Sequence, residues 1–274
     1  MLIYNAKTRD ELEKIINEDL NKYINWLKGN KLSINADKTK FIIYKMRNKA
    51  DINLKILINK VQIERVATYK YLGVIIDEKL KWENHINKIV SKIAPLLGAI
   101  KRSGIKLNRQ SANNIYHAHI MSHIRYNICN WSSCATGLKE KVSTLINKAI
   151  KSLYKFSWLT PTVKIFEKTG YLMLPEIIVM EKAKLIFKLE KGIYNKNIQI
   201  TKRNSVHNYN TRRLNYLNHI RSRTELSHSS GLSSAIRIYN KLPHDLKQSS
   251  NIKLFVKNLK CLLKRNPTLL DSVM

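Results

Sequence analysis

The stretch Tyr69-Lys70-Tyr71-Leu72-Gly73-Val74-Ile75-Ile76-Asp77-Glu78-Lys79-Leu80-Lys81-Trp82-Glu83-Asn84-His85-Ile86 decides the fold, because the hydrophobic period changes inside it. Tyr69–Ile76 is aromatic and β-branched, a composition that suits a pleated, half-buried surface and predicts a strand. From Trp82 onward Ile86, Ile89, Val90, Ile93, Leu96, Leu97 and Ile100 recur every three or four residues, which predicts an amphipathic helix kinked at Pro95. Sheet therefore precedes this point and helices follow it. The fold class expected is α+β: a small antiparallel sheet with one long helix, followed by a mostly helical region.

Toward the amino terminus, Thr8 and Glu11 have capping-box spacing, and Leu12, Ile15, Ile16, Leu20, Tyr23, Ile24 and Leu27 form one helical stripe that stops at Gly29. Phe41–Met46, Leu54–Ile58 and Val61–Val66 are short and β-branched and predict strands, with Ile58-Asn59-Lys60-Val61 as a tight hairpin between the last two. Toward the carboxyl terminus, Asn108 or Ser111 can cap a helix that runs through Arg125, and Leu138–Phe156 predicts another. Pro161-Thr162 and Leu174-Pro175-Glu176 each place proline where a helix can begin, the second helix reaching Gly192. Residues 193–230 are polar and basic and predict a loop or linker that orders on binding, and Leu232–Asn240 and Ile252–Lys264 predict two short helices around Leu242-Pro243.

The charge is unevenly placed along the 274 residues, which carry a formal net charge of +31. Residues 1–83 hold 17 Lys and Arg against 11 Asp and Glu, whereas residues 84–274 hold 33 against 8. Between Glu83 and Glu140, and again between Glu190 and Glu225, there is no acidic residue. An abundance of lysine in the source proteome would explain the many bases but not the missing acids. Like charge concentrated on a folded surface costs stability, and a polyanion relieves that cost, so nucleic acid is the expected partner and an anionic membrane surface a distant second. No apolar run approaches the ~18 residues of a membrane span, and Met1–Ala6 is too short and polar for a signal peptide, so the expectation is an intracellular chain, nuclear or cytoplasmic, with no membrane partner. Cys129, Cys134 and Cys261 are too few for a disulfide framework and are expected as free thiols.

Catalytic motifs are sparse. His117, His119 and His123 with Cys129 and Cys134 lack the paired spacing of a tetrahedral metal site, and no metal is expected here. There is no nucleophile elbow and no glycine-rich phosphate loop. Asp77, just after a strand, is the carboxylate placed most like a site residue, but one carboxylate does not make a two-metal centre.

Two stretches are more specific. Trp26-Leu27-x2-Asn30-Lys31-Leu32-x-Ile34-Asn35-x2-Lys38-Thr39 resembles the fourth motif of reverse transcriptases from non-LTR retrotransposons, especially jockey-like elements. Tyr71-Leu72-Gly73-Val74-x2-Asp77-x2-Leu80-x-Trp82-x2-His85-Ile86 resembles the segment that follows it, which includes the primer grip. Tyr209-Asn210-Thr211-Arg212 and Asn240-Lys241-Leu242-Pro243, with Ser250 and Phe255, resemble the carboxyl-terminal tail of these polyproteins. The resemblance implies the end of a polymerase palm with its primer-grip segment at 1–82, a helical thumb at 83–192, a basic loop at 193–230 and a short helical tail at 231–274. Met1-Leu2-Ile3-Tyr4 resembles the strand just after the aromatic-Ala-Asp-Asp metal motif, so the catalytic Asp pair, the fingers and the rest of the polymerase are expected upstream. The expectation is thus a carboxyl-terminal fragment of an RNA-directed DNA polymerase, from a truncated gene or a decayed element. It would bind RNA and DNA as primer–template but not polymerise alone. It would carry no cofactor itself, although magnesium would serve the whole enzyme.

By the same resemblance Lys38 matches a lysine that acts as general acid toward leaving pyrophosphate. Tyr71, Leu72 and Gly73 would form the primer grip, with Gly73 allowing close backbone approach. Lys88, Lys92, Lys101, Arg102, Lys106 and Arg109 would line the thumb toward duplex phosphates, and Arg212 and Arg213 would hold template or target. The alternative is a stand-alone basic nucleic-acid-binding protein, a domesticated remnant with no enzymatic role.

Overall fold

The structure is a computed structural model, and it describes residues 1–44, 53–103, 107–194, 198, 200–205 and 216–265. The fold is α+β and mostly helical, with small two-stranded sheets. The chain divides into two compact units, Met1–Asn84 and His85–Met274.

The first unit is built on α1 (Arg9–Gly29), whose start is fixed as the sequence predicts: the Glu11 amide donates to Thr8 Oγ1 at 3.3 Å, and the Lys7 amide donates to Glu11 Oε2 at 3.3 Å. The helix buries Ile16, Leu20 and Ile24 against Ile43, Leu54, Ile56, Ile58 and Ile63. Polar residues on α1 secure the same contact. Asn17 donates from Nδ2 to the Lys55 carbonyl at 2.9 Å and accepts at Oδ1 from the Leu57 amide at 3.0 Å, while Glu13 Oε2 accepts from the Lys55 amide at 3.0 Å. An open strand edge is thereby satisfied by a helix.

The strands are β1 (Lys40–Phe41), β2 (Leu57–Ile58), β3 (Val61–Gln62), β4 (Glu64–Arg65), β5 (Thr68–Tyr71) and β6 (Val74–Asp77). They differ from the single antiparallel sheet expected. Among the described residues three separate two-stranded ladders form, and one of them, β1 with β4, is parallel and reinforced by the Lys40–Glu64 ion pair. The hairpin at Asn59-Lys60 forms as read, with Ile58 opposite Val61 and both turn residues in the left-handed region, φ 49° and 66°. The strand expected at Tyr69–Ile76 is instead a second hairpin, β5 antiparallel to β6, turning at Leu72 (φ 45°) and Gly73 (φ 86°) with Tyr71 opposite Val74. The expected Phe41–Met46 strand is paired only at Phe41 among the described residues, and its last two residues lie outside them.

The second unit is a helical bundle: α2 (Glu83–Ser103), α3 (Arg109–Ile115), α4 (Ser122–Arg125), α5 (Ile128–Trp131), α6 (Thr136–Tyr154), α7 (Thr162–Thr169), α8 (Leu174–Glu190), α9 (Glu225–Ser229), α10 (Gly231–Lys241), α11 (His244–Lys247) and α12 (Ile252–Arg265). At its centre is α8, which buries Leu174, Ile177, Ile178, Val179, Met180, Ala183, Ile186 and Phe187 and is packed on by α5, α6, α10 and α12. Phe187 stacks on Phe255 of α12 with centroids 4.3 Å apart. Asn108 caps α3, its Oδ1 accepting from the Ser111 amide at 2.7 Å. Between α3 and α4 the helix does not break but widens into a π-helical segment, Tyr116–Met121. Within the stretch read as a loop, Lys202 bridges Leu217, and buried Asn240 clamps Leu217 by both backbone groups, donating to its carbonyl at 2.9 Å and accepting from its amide at 3.0 Å. Among the described residues no helix is long and apolar enough to cross a membrane.

Candidate nucleic-acid interface

In the first unit, Lys38 is exposed on a turn that Asn35 organises, its Oδ1 accepting from the Lys38 amide at 3.0 Å while its carbonyl accepts from the Thr39 hydroxyl at 2.8 Å. The Tyr71, Leu72 and Gly73 trio is the tip of the second hairpin: Tyr71 is half-buried, Gly73 exposed and Leu72 73% exposed. The trio thus lies at an exposed glycine turn rather than in a core strand.

Asp77 follows directly. Its Oδ1 accepts from the amides of Lys79 (3.1 Å) and Lys81 (3.0 Å), and its Oδ2 from the amide of Trp82 (2.9 Å). Those bonds hold a loop in which Leu80 and buried Trp82 both have positive φ, 51° and 65°. The carboxylate is committed to the backbone and does not fit a magnesium ligand. Among the described residues no group of three His, Cys, Asp or Glu side chains is arranged to hold a metal ion.

In the second unit, α2 carries Lys88, half-buried, and Lys92, exposed, four residues apart on one face, and ends with exposed Lys101 and Arg102. Those last two also suit the negative end of the helix dipole. Arg109 is exposed at the start of α3, while Lys106, Arg212 and Arg213 lie outside the described residues. Three histidines, buried His85, half-buried His123 and exposed His117, report the local field. All three have pKa values pushed down, by desolvation first and then by cations: Lys88 acts on His85, Arg125 and Lys260 on His117, and Lys92 on His123. Lysine or arginine side chains therefore act on all three, in keeping with the acid-free run from 84 to 139.

The structure also sets Arg109, named above, among residues that the sequence did not single out. Arg109, Lys155 and Lys168 line a cleft of about 420 Å³ with Tyr154 and Phe156. Nearby, Trp158 and Leu159 are exposed, and Lys151 Nζ donates to the Trp158 carbonyl at 2.6 Å while lying 5.2 Å from the centre of its ring. These residues are spread over three helices, and their only sequence signal is an aromatic-basic run at Tyr154-Lys155-Phe156. Deeper in the bundle, Lys182 is only 5% exposed and donates from Nζ to Ser234 Oγ at 2.7 Å, with burial pushing its pKa down to about 8.

No protein family, curated protein or solved structure matches this chain.

Proposed function

We propose that this chain binds nucleic acid as the palm-to-tail part of a non-LTR retrotransposon RNA-directed DNA polymerase, engaging primer–template through the hairpin tip and the positive helical face. The observation that carries the binding is the run from 84 to 139 without a single acidic residue, folded so that Lys92, Lys101, Arg102 and Arg109 are exposed. The order and spacing of the Trp26–Thr39 and Tyr71–Ile86 stretches support the polymerase assignment. In this reading Leu72 and Gly73 meet the primer terminus, the α2 cations meet duplex phosphates, and Lys38 is the proton donor toward pyrophosphate. Partners are RNA, DNA and the remainder of the polymerase.

A second reading, a stand-alone nucleic-acid binder, is favoured by the commitment of Asp77 to three backbone amides. A filter-binding salt titration tests the shared core: log K should fall with log salt by about 0.9 for each phosphate neutralised on duplex DNA. A flat titration would overturn both readings. Tighter binding to a recessed 3′ end than to blunt duplex supports the polymerase reading, and equal binding to the two supports the stand-alone binder.

A further inference from the structure

We propose that the cleft between the start of α3 and the ends of α6 and α7 holds one unpaired nucleotide of a single strand, its base on Phe156 and Tyr154 and its phosphate among Arg109, Lys155 and Lys168. This inference rests on the nucleic-acid reading above and adds the class of ligand and the place where it sits.

The floor of the cleft is aromatic and fixed. After Tyr154 ends α6, Lys155 takes a left-handed conformation (φ 54°) that folds the chain back, bringing the Phe156 ring to 6.3 Å from that of Tyr154. A hydrogen-bond chain holds Tyr154 in place: its hydroxyl donates to that of Tyr171 at 2.5 Å, and Tyr171 donates to Asn113 Oδ1 at 3.0 Å. A preorganised ring loses little freedom on stacking a base, and stacking is available to every base because each has a π face.

The rim is cationic. Two helices end here, α6 at Tyr154 and α7 at Thr169, and each contributes roughly half a negative charge through its free carbonyls. Three full positive charges exceed those two half charges, and no ion pair among the described residues neutralises Arg109, Lys155 or Lys168. The cleft therefore selects for an anion that also has an aromatic surface. Its volume of about 420 Å³ falls in the lower part of the ~300–1,000 Å³ range of small-ligand sites, which suits a single nucleotide unit. A strand rather than a free nucleotide is indicated by exposed Trp158 with Lys151 at its ring, a further stacking surface just beyond the cleft. A paired base could not reach the floor, since both of its faces are already stacked in the duplex.

The test measures, on the full chain, affinity for a short oligothymidylate, an abasic strand of equal length, thymidine monophosphate and a blunt duplex. Wild-type protein should prefer the oligothymidylate to the abasic strand by about 5- to 150-fold, the range contributed by one stacked base, and Phe156→Leu should remove most of that preference while leaving duplex binding unchanged. Lys168→Gln, an exposed change that leaves the core intact, should weaken binding of both single strands, and melting curves of each variant confirm folding. Equal wild-type binding to oligothymidylate and abasic strand would overturn the proposal, as would a Phe156→Leu loss shared equally by duplex. Thymidine monophosphate binding as tightly as the strand would overturn the assignment to a strand. If duplex binding remains salt-dependent while the cleft variants behave as wild type, the cleft fails alone; if no nucleic acid binds, the broader reading fails with it.

Discussion

At the scale of single residues, Lys182 makes the sharpest prediction. An unfolded lysine loses its proton near 10.5, whereas burial brings the folded value down to about 8, with Lys139 and Arg237 lowering it further and Cys129 opposing them. Below pH 8 both states hold the proton and the cost of a buried ammonium is present in full; above it the folded state sheds the proton first, so stability rises with pH. Burial acts on Cys129 in the opposite sense, raising its thiol from 9.0 to about 11, so above pH 9 the unfolded chain ionises first and stability falls. The clear window is pH 8 to 9, where Lys182 should add about 1 kcal/mol of stability. Lys247 and Lys260 are lowered by burial as well, so the readout is a difference: urea unfolding of Lys182→Met should show a rise smaller than wild type by about that amount. Parallel pH profiles would refute the assignment. None of this was legible in the sequence, where Lys182 is one lysine among many; its burial is decided by α10 packing onto α8, which no local pattern encodes. Asp77 was legible as a special carboxylate but not in its role, because the positive φ angles it supports at Leu80 and Trp82 leave no local signature.

At the scale of elements, the helices and the Asn59-Lys60 hairpin were readable and the rest of the strand pairing was not. The α1 stripe, the Asn108 cap and the prolines opening α7 and α8 are local signals, although α1 buries only Ile16, Leu20, Ile24 and Leu27 of its stripe and leaves Ile15 and Tyr23 exposed. Strands of two to four residues give too few alternations to define a period, and β1 pairs with β4 from a distant part of the chain, a partner that periodicity cannot name. The Tyr69–Ile76 run misled for a specific reason: Leu72-Gly73 is a turn without Asn or Asp, and only the glycine marked it. Gly73 has φ 86°, so Gly73→Val should cost about 1–3 kcal/mol while Gly73→Asn, which tolerates the left-handed region, should cost much less. Chemical denaturation followed by tryptophan fluorescence, to which buried Trp82 contributes, checks this. If Gly73→Asn keeps stability but loses preference for a recessed 3′ end, the hairpin tip touches the primer; if it keeps both, the tip is only a turn.

At the scale of the whole molecule, the net charge of +31 is concentrated after residue 83, and the expected outcome is strong, salt-sensitive association with polyanions. The concentration of positive charge was legible in the sequence, whereas the cleft, assembled from Arg109, Tyr154–Phe156 and Lys168, depends on which helix ends meet. Converting Lys92, Lys101 and Arg102 to Gln should flatten the salt dependence of duplex binding by about 0.9 for each phosphate that is no longer neutralised, with little effect on thermal stability because all three are exposed. An unchanged slope would return them to solvent. The π-helical Tyr116–Met121 segment has a consequence of another kind. It holds one residue more than an α-helix of the same rise needs, so deleting exposed Ala118 would let α3 run into α4 as an unbroken α-helix without rotating Ile120 or Ile124 out of the core. In genetic terms this is a place where a three-base deletion should be tolerated, while the same deletion inside α6 or α8 would turn every later side chain about 100° off its packing face. Soluble expression of the two kinds of deletion, side by side, would show whether the extra residue is dispensable.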